Sequence, residues 1–255
     1  GGFDVIIGNP PYVKYKREKC AYSIKNYITE SCGNLYAFCM ERSYTLSKTA
    51  IVGMIIPLSS ICAKNMDKLR NIVCKYDSWV SSFEIRPSKL FEGVDQRVSI
   101  LITNNLCNNQ TLSTAIMRWD TECRKILFKQ LYYSLTVTEE RIWRFSNIKE
   151  LSIYKKFCTH HPIAKEISNE GNNYIHYRSA GLRYWIIFLL SEFGTDSLSN
   201  KKIKFENKEV SQAIMAGLNS NLFWWYYSTN YDMFNLTESN ITEFRLNYMN
   251  DHKIE

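Results

Sequence analysis

Residues 3–12 read FDVIIGNPPY, a short apolar, β-branched segment followed at once by an asparagine, two prolines and a tyrosine. A continuous apolar run of this length is typical of a strand that is buried on both faces of a parallel sheet. In open α/β sheets, ligands bind at the carboxyl ends of such strands. The sequence therefore predicts that Asn9, Pro10, Pro11 and Tyr12 form a loop at the ligand-binding edge of a sheet.

Outward from this loop, apolar segments alternate with amphipathic ones. Helical spacing is present in residues 34–48 and 65–75, and strands are predicted for residues 51–57, 79–85 and 97–103. Strands that alternate with helices predict a doubly wound α/β sheet. The short connection between the last two strands favours an antiparallel pair.

The alternation ends at a polar segment, residues 104–111. We therefore predict two regions, an α/β region (residues 1–105) and an α+β region (residues 106–255). Within the second region, residues 138–154 and 209–227 are predicted helices, and residues 184–190 are a predicted strand.

Composition narrows the class of protein. The chain has 255 residues, 45% of them hydrophobic, and a net charge of +7, which is compatible with a polyanionic partner. Its eight cysteines include no CxxC pair, which indicates a reducing, cytoplasmic compartment rather than a disulfide framework. No apolar stretch approaches the ~20 residues of a membrane helix, so we expect no membrane partner.

An Asn-Pro-Pro-Tyr loop suits the chemistry of an exocyclic amine. Prolines fix the backbone and remove amide donors, so the carbonyls of the loop are rigid acceptors. The Asn9 side-chain oxygen and the Pro10 carbonyl would accept hydrogen bonds from an amino group and stabilise positive charge on its nitrogen. Tyr12 would stack on a base that has left the duplex. A proline-rich surface turn is the alternative for the isolated tetrapeptide.

The segment GGFDVIIGNPPYV (1–13) resembles the catalytic motif of the Eco57I-like family of restriction–modification adenine-N6 DNA methyltransferases. The resemblance continues in register through NLYAFCMERSYTL (34–46), IVGMIIP (51–57), MDKLRNIV (66–73) and KLFEGVDQRVSILI (89–102). It implies the second half of a Rossmann-like methyltransferase sheet, followed by a target-recognition region that binds double-stranded DNA.

The resemblance also implies roles for individual residues. Asn9, Pro10 and Pro11 become the catalytic loop, and Tyr12 and Phe91 press a flipped adenine from its two sides. A core aromatic is the alternative role for Phe91. At the position where relatives contact the adenine of S-adenosylmethionine, this chain has Cys39, with Phe38 beside it.

One element of the family is missing from the sequence. Relatives bind S-adenosylmethionine through a Gly-rich turn that precedes the Asn-Pro-Pro-Tyr motif, and no such turn is present here. We therefore expect the chain to lack the cofactor-binding half, to be inactive alone and to bind the cofactor weakly or not at all. The missing half, or an endonuclease domain of the parent enzyme, is a candidate partner.

The second region contributes weaker signals. Residues 211–245 resemble the end of a target-recognition domain, and their aromatic run (Phe223, Trp224, Trp225, Tyr226) favours a helix core over base contact. Arg178, Ser179 and Arg183 are candidate DNA contacts in a loop, with a solvated basic loop as the alternative. Cys158, His160 and His161 lack a second ligand pair at zinc spacing, so we expect no metal.

The sequence thus predicts a site-specific DNA adenine-N6 methyltransferase of a restriction–modification system. Two alternatives stay open: a protein-glutamine or RNA methyltransferase, because those enzymes also use such loops, and a non-catalytic DNA-specificity module derived from such an enzyme.

Overall fold

A six-stranded mixed sheet organises the first part of the chain in the computed structural model, which describes residues 2–16, 18, 21–106, 108–181 and 185–247. Its strands are β1 (Val5–Gly8), β2 (Ile51–Pro57), β3 (Asp77–Phe83), β4 (Val98–Asn104), β5 (Thr111–Met117) and β6 (Ser134–Leu135), in the spatial order β1-β2-β4-β3-β5-β6. β1 pairs parallel to β2 and β3 parallel to β5, whereas β4 is antiparallel to β2 and β3, and β6 is antiparallel to β5. The predicted α/β class and the antiparallel β3–β4 pair are confirmed.

Side-chain alternation along β2 separates the two faces of this sheet. The helices of this part are α1 (Leu35–Leu46), α2 (Ser59–Cys62) and α3 (Asp67–Val73). Val52, Met54 and Ile56 are buried against residues of α1 and α3, so the helices cover one face. The predicted bounds of β2 agree with the structure at both ends.

Short 3-10 helices connect the larger elements. They comprise Ile28–Cys32, Lys64–Met66, Thr121–Lys125, Leu127–Gln130 and Ile163–Glu166. The first of them is fixed by Glu41 of α1, whose carboxylate accepts hydrogen bonds from the amides of Ile28 (3.0 Å) and Thr29 (2.8 Å) and from the Thr29 hydroxyl (2.8 Å).

The predicted boundary near residue 105 differs from the division in the structure. The chain separates into two compact units, Gly1–Leu151 and Ser152–Glu255, because β5 and β6 extend the first sheet beyond the polar segment. The predicted helix 138–154 is also wrong over its first part, since α4 covers only Lys149–Cys158. Before α4 the chain is irregular, and the Phe145 amide donates to the Ser113 hydroxyl of β5 at 3.0 Å.

The second unit is built from short strands and helices around an aromatic core. Its elements are β7 (His161–Pro162), β8 (Asn173–Arg178), β9 (Asn200–Phe205), α5 (Lys208–Leu218), α6 (Asn221–Asn230), α7 (Glu238–Thr242) and β10 (Arg245–Leu246). β8 pairs antiparallel with β9, and β7 pairs antiparallel with β10. Phe223 contacts Tyr226 and Phe244 within the core, with ring centroids 6.1 and 5.1 Å apart.

Two predicted elements of this unit are corrected. The single helix at 209–227 is two helices, because α5 ends at Leu218 with Asn219 as its C-cap, and Ser220 caps α6 by accepting from the Phe223 amide. The strand at 184–190 is not formed over its described residues, 185–190, which contribute only the isolated bridge between Leu189 and His176. None of the helices in the described part of the chain is long and apolar enough to span a membrane.

We predict that Glu41→Ala lowers the free energy of unfolding by about 2–4 kcal/mol, because buried donors around Thr29 lose their shared acceptor. Urea unfolding followed by circular dichroism measures the change. Arg42→Ala, at the neighbouring exposed position, is the matched control and should change stability by less than about 0.5 kcal/mol. Equal stability of the two variants would contradict this role of Glu41.

Candidate functional site

The Asn-Pro-Pro-Tyr loop follows β1 directly and lies at the predicted edge of the sheet. β1, β2 and β3 run in the same direction, so their carboxyl ends meet at this edge. Asn9 and Pro11 are exposed, whereas Pro10 is buried. Within the described residues, the Asn9 side chain makes no hydrogen bond, so its amide oxygen is available to a ligand.

Tyr12 is held in place by β2. Its hydroxyl donates a hydrogen bond to the Ile55 carbonyl at 3.1 Å, and its ring meets Tyr36 edge to face at 6.3 Å. Burial raises the pKa of Tyr12 to about 12, so the hydroxyl stays protonated and remains a donor at neutral pH. The half-buried ring therefore has one fixed orientation beside the loop.

The exit from the loop is fixed as well. The Leu35 amide donates to the Val13 carbonyl, and the Tyr15 amide to the Gly33 carbonyl, both at 2.9 Å. Gly33 has φ 62°, a left-handed conformation that favours glycine. These bonds tie the loop to the start of α1, so it is anchored on both sides of its prolines.

Phe91 approaches the same edge from the loop between β3 and β4. It is half-buried against a hydrophobic cluster that consists of Phe83, Leu90, Val98, Trp119 and Leu127. Tyr12 packs against this cluster too. The structure thus brings Tyr12 and Phe91, two residues 79 positions apart, to one cluster at the carboxyl edge of the sheet.

An ion pair closes the loop that carries Phe91. Arg97, directly before β4, lies 2.7 Å from the carboxylate of Glu84, which follows β3 and is buried. The Arg97 carbonyl accepts from the Leu58 amide at the end of β2 (2.9 Å). Both ends of the Phe91 loop are therefore fixed to the sheet.

The two predicted cofactor contacts have different environments. Phe38 is only 4% exposed and lies between Tyr15 and Tyr27, with ring centroids 5.4 and 5.3 Å away. Its ring is therefore enclosed by the protein. Cys39 is half-buried, and burial raises the pKa of its thiol. A cofactor contact at these residues stays a prediction.

Arg178 lies at the end of β8 rather than within a loop. Its guanidinium donates to the Thr195 hydroxyl (2.8 Å) and to the Asn200 side-chain oxygen (3.3 Å), and it lies 4.6 Å from the Phe193 ring centroid. The Ser179 amide donates to the Ser199 carbonyl at 2.8 Å. Arg183 lies outside the described residues.

The aromatic residues predicted for the helix core of the second unit differ in burial. Phe223 and Tyr226 are buried in the helix core, as predicted, whereas Trp224 is 44% exposed. No group of three metal ligands occurs in the described ranges of the chain, Cys158, His160 and His161 included.

A cavity that sequence reasoning missed lies beside β8 and β9. It has a volume of about 590 Å³, and its lining includes His176, Glu192, Phe193, Asp196 and Lys202. Burial lowers the pKa of His176, an effect that the Glu192 carboxylate partly opposes. The signal for this site was the alternation of basic and apolar residues in NKKIKF (200–205), which predicts a strand with one basic face.

The comparisons with known proteins bear on the first unit. Residues 1–91 match the Eco57I restriction-modification methylase family. The resemblance found in the sequence is therefore confirmed over these residues. No curated protein matches the chain.

Several solved structures are similar to the chain at low identity. A cryo-electron microscopy structure of a DrdV–DNA complex is 17% identical over 52% of this chain and 17% of that chain, with a TM-score of 0.41. A nuclease-deletion mutant of the Type ISP restriction-modification enzyme LlaGI, in complex with a DNA substrate mimic, is 14% identical over 70% of this chain and 18% of that chain (TM-score 0.44). The ATP-dependent Type ISP restriction-modification enzyme LlaBIII bound to DNA is 16% identical over 69% of this chain and 14% of that chain, with a TM-score of 0.40. The chain spans less than a fifth of the length of each of these proteins.

We predict that His176 makes the folded state less stable in mild acid. Because its folded pKa lies below the usual value of 6.5, the unfolded chain takes up the proton first, and stability falls as the pH drops below about 6.5. Urea unfolding at pH 7.5 and 5.5 measures the loss. His176→Gln should lose less stability than the wild type over this interval, and an equal loss would contradict the prediction.

Proposed function

We propose that the chain is the amino-group-activating part of a site-specific DNA adenine-N6 methyltransferase from a restriction–modification system. The observation that carries the proposal is the Asn-Pro-Pro-Tyr loop at the carboxyl end of β1, with Asn9 exposed and unbonded and Tyr12 anchored beside it. The match of residues 1–91 to a restriction-modification methylase family supports it.

In this proposal the loop binds the exocyclic amine through two acceptors. The N6 nitrogen of adenine is a poor nucleophile because its lone pair is delocalised into the ring. Hydrogen bonds from its two N–H groups to the Asn9 side-chain oxygen and the Pro10 carbonyl localise that lone pair. They also stabilise positive charge as it develops on nitrogen, at fixed positions that cost no reorganisation.

Tyr12 and Phe91 hold the base for this contact. Enzymes that modify a base inside a duplex extrude it into a pocket, where aromatic side chains stack on it. Both residues are half-buried at one hydrophobic cluster, so each keeps part of its ring accessible while its position is fixed. The hydrogen bond from Tyr12 to Ile55 sets the orientation of one of these rings.

S-adenosylmethionine supplies the methyl group in the complete enzyme. Phe38, one of the two predicted cofactor contacts, is enclosed by Tyr15 and Tyr27, so its ring is not open to a ligand. We assign the cofactor site to a further polypeptide segment that extends the sheet beyond β1. β1 is an edge strand whose Val5 and Ile7 are 55% and 79% exposed, and an apolar edge of this kind suits a further paired strand.

We predict that Asn9→Ala reduces methyl transfer at least about 100-fold, the usual effect of removing one preorganised polar contact from the transition state. Tritiated methyl transfer from S-adenosylmethionine to a mixed-sequence duplex measures it, with a polypeptide that carries the Gly-rich cofactor-binding half added in trans. Asn71→Ala, at an exposed position of α3 outside the loop, is the control. Transfer by the chain alone would disprove the assignment of the cofactor site to another segment, and transfer that survives Asn9→Ala would disprove the role of the loop.

We also predict that Tyr12→Phe and Tyr12→Ala differ in the same assay. Phenylalanine keeps the stacking surface and loses only the hydrogen bond to Ile55, so we expect a loss of less than about tenfold. Alanine removes the ring, and base stacking contributes about 1–3 kcal/mol, so we expect a loss of about 10- to 100-fold. Equal losses in both variants would show that the ring does not stack on the base.

A further inference from the structure

The loop between β3 and β4 carries Phe91 near its middle. Residues 84–97, all of which the structure describes, form neither helix nor strand. The ion pair between Arg97 and Glu84 fixes the two ends of this segment, but it does not reach the residues between them. An irregular segment keeps its backbone freedom unless contacts with other elements remove it. The position of the Phe91 ring therefore depends on contacts in the middle of the loop.

Arg124 contacts this loop from the 3-10 helix Thr121–Lys125, which follows β5. One nitrogen of its guanidinium donates to the Leu90 carbonyl at 2.8 Å, and another donates to the Lys89 carbonyl at 3.4 Å. The Leu90 carbonyl belongs to the rigid peptide plane that also contains the nitrogen and Cα of Phe91. Because the guanidinium is planar and its donors have fixed directions, it restricts the two peptide planes directly before Phe91.

The segment that carries Arg124 is itself anchored. Trp119 and Leu127, on either side of the 3-10 helix, are 5% and 1% exposed and belong to the hydrophobic cluster beneath the loop. The Arg124 guanidinium lies 5.6 Å from the centroid of the Trp119 ring. A second link joins Ser88 of the loop to Thr121, whose hydroxyl oxygens are 2.8 Å apart. The middle of the loop is therefore connected to the core of the first unit.

Arg124 makes these contacts without competition from acidic groups. Within the ranges that the structure describes, no carboxylate oxygen lies within 4.0 Å of its guanidinium. The residue is exposed, so its replacement should change global stability little and act mainly on the loop. Arg124 also lies beyond residues 1–91, which match the methylase family, so the match gives it no role.

We propose that Arg124 is a positioning residue for methyl transfer: it holds the peptide before Phe91 so that the ring meets the extruded adenine. This inference rests on the proposed function. The two rings of the site need different anchors, because the Tyr12 hydroxyl binds the Ile55 carbonyl, whereas a phenylalanine ring has no polar atom. Phe91 is fixed by packing and through its own backbone, and Arg124 supplies the contact to the backbone.

A loosened Phe91 loop should affect the reaction more than the binding of DNA. Misplacement of a group by about 1 Å can lower a rate by up to about 100-fold. Because Arg124 acts through Phe91, its loss cannot cost more than removal of the ring, about 10- to 100-fold. We therefore expect Arg124→Gln to lower kcat about three- to tenfold and to change KM for DNA by less than about twofold.

The first test measures the loop in the full chain, without any reaction. Endoproteinase Lys-C cleaves after lysine, and it reaches the bond after Lys89 when the loop leaves its folded conformation. Arg124→Gln should increase the rate of cleavage at this bond, followed by mass spectrometry, about three- to tenfold. Arg118→Gln removes the same charge from an exposed position before the 3-10 helix and is the matched control. Equal cleavage rates in the two variants overturn the proposal.

The second test measures kcat and KM for DNA in the methyl-transfer assay, with the Gly-rich half added in trans. Arg124→Gln should lower kcat and leave KM nearly unchanged relative to Arg118→Gln. An arginine that binds a DNA phosphate directly would instead raise KM and make it less dependent on salt when replaced. A change in KM alone therefore overturns the positioning role.

A double-mutant cycle shows whether Arg124 acts through Phe91. When Phe91→Ala has removed the ring, adding Arg124→Gln should lower kcat further by less than about twofold. Losses that multiply in the double variant overturn the proposal.

Arg124→Lys separates geometry from charge. Lysine keeps the positive charge, but its single nitrogen does not reproduce the two fixed donors of a guanidinium. Arg124→Lys should therefore resemble Arg124→Gln in both tests, and wild-type kcat in the lysine variant would overturn the proposed role.

The two proposals fail separately. Methyl transfer that survives Asn9→Ala overturns the proposed reaction, and cleavage after Lys89 still measures the contact of Arg124 with the loop. If Arg124→Gln matches Arg118→Gln in both cleavage and kcat, the role of Arg124 is overturned and the reaction at the Asn-Pro-Pro-Tyr loop is unaffected.

Discussion

The candidate site depends on one backbone carbonyl, that of Ile55 in β2, which accepts its hydrogen bond from a side chain at the point where the pairing with β1 has ended. β1 ends at Gly8, which pairs with Met54, so β2 continues beyond it and the Ile55 carbonyl accepts from the Tyr12 hydroxyl. A partly buried carbonyl needs a hydrogen-bond donor, and the hydroxyl of Tyr12 supplies it here. The difference in length between two neighbouring strands thus fixes the tyrosine. Asn9 and the two prolines are then held between the end of β1 and this bond.

Local patterns predicted the elements that are apolar and continuous, and missed those whose burial depends on distant partners. Residues 51–57 form β2 as predicted, because Val52, Met54 and Ile56 need only a helix-covered face. β5 was missed, since it includes Ser113, whose buried hydroxyl accepts from Phe145, 32 residues away. The position of the Asn-Pro-Pro-Tyr loop followed from its strand alone. That Phe91 and Tyr12 share one cluster followed only from the resemblance, because nothing local links residues so far apart.

The alternation that buries one face of the sheet also explains the apolar surface near β1. The strand register places Ile7, Gly53, Ile102 and Trp79 in one row, on the face opposite α1 and α3. Ile7 and Ile102 are 79% and 39% exposed. An uncovered apolar row beside an edge strand invites association. In our proposal the cofactor-binding segment accounts for the edge strand, because it extends the sheet beyond β1.

Catalysis at an amine and binding of a polyanion place opposite demands on charge. The proposed reaction develops positive charge on nitrogen, and a cation about 4 Å away would oppose it by roughly 4 kcal/mol at an effective dielectric constant near 20. The loop accordingly offers the amine only neutral groups, the Asn9 amide oxygen and the Pro10 carbonyl, with Tyr12 held neutral by its raised pKa. Arg178, Lys202 and Lys204, which are cations, lie on β8 and β9 of the other unit and are not part of this loop. In the proposed reaction, activation of the amine therefore depends on neutral acceptors and not on the charged side chains that a polyanion would bind.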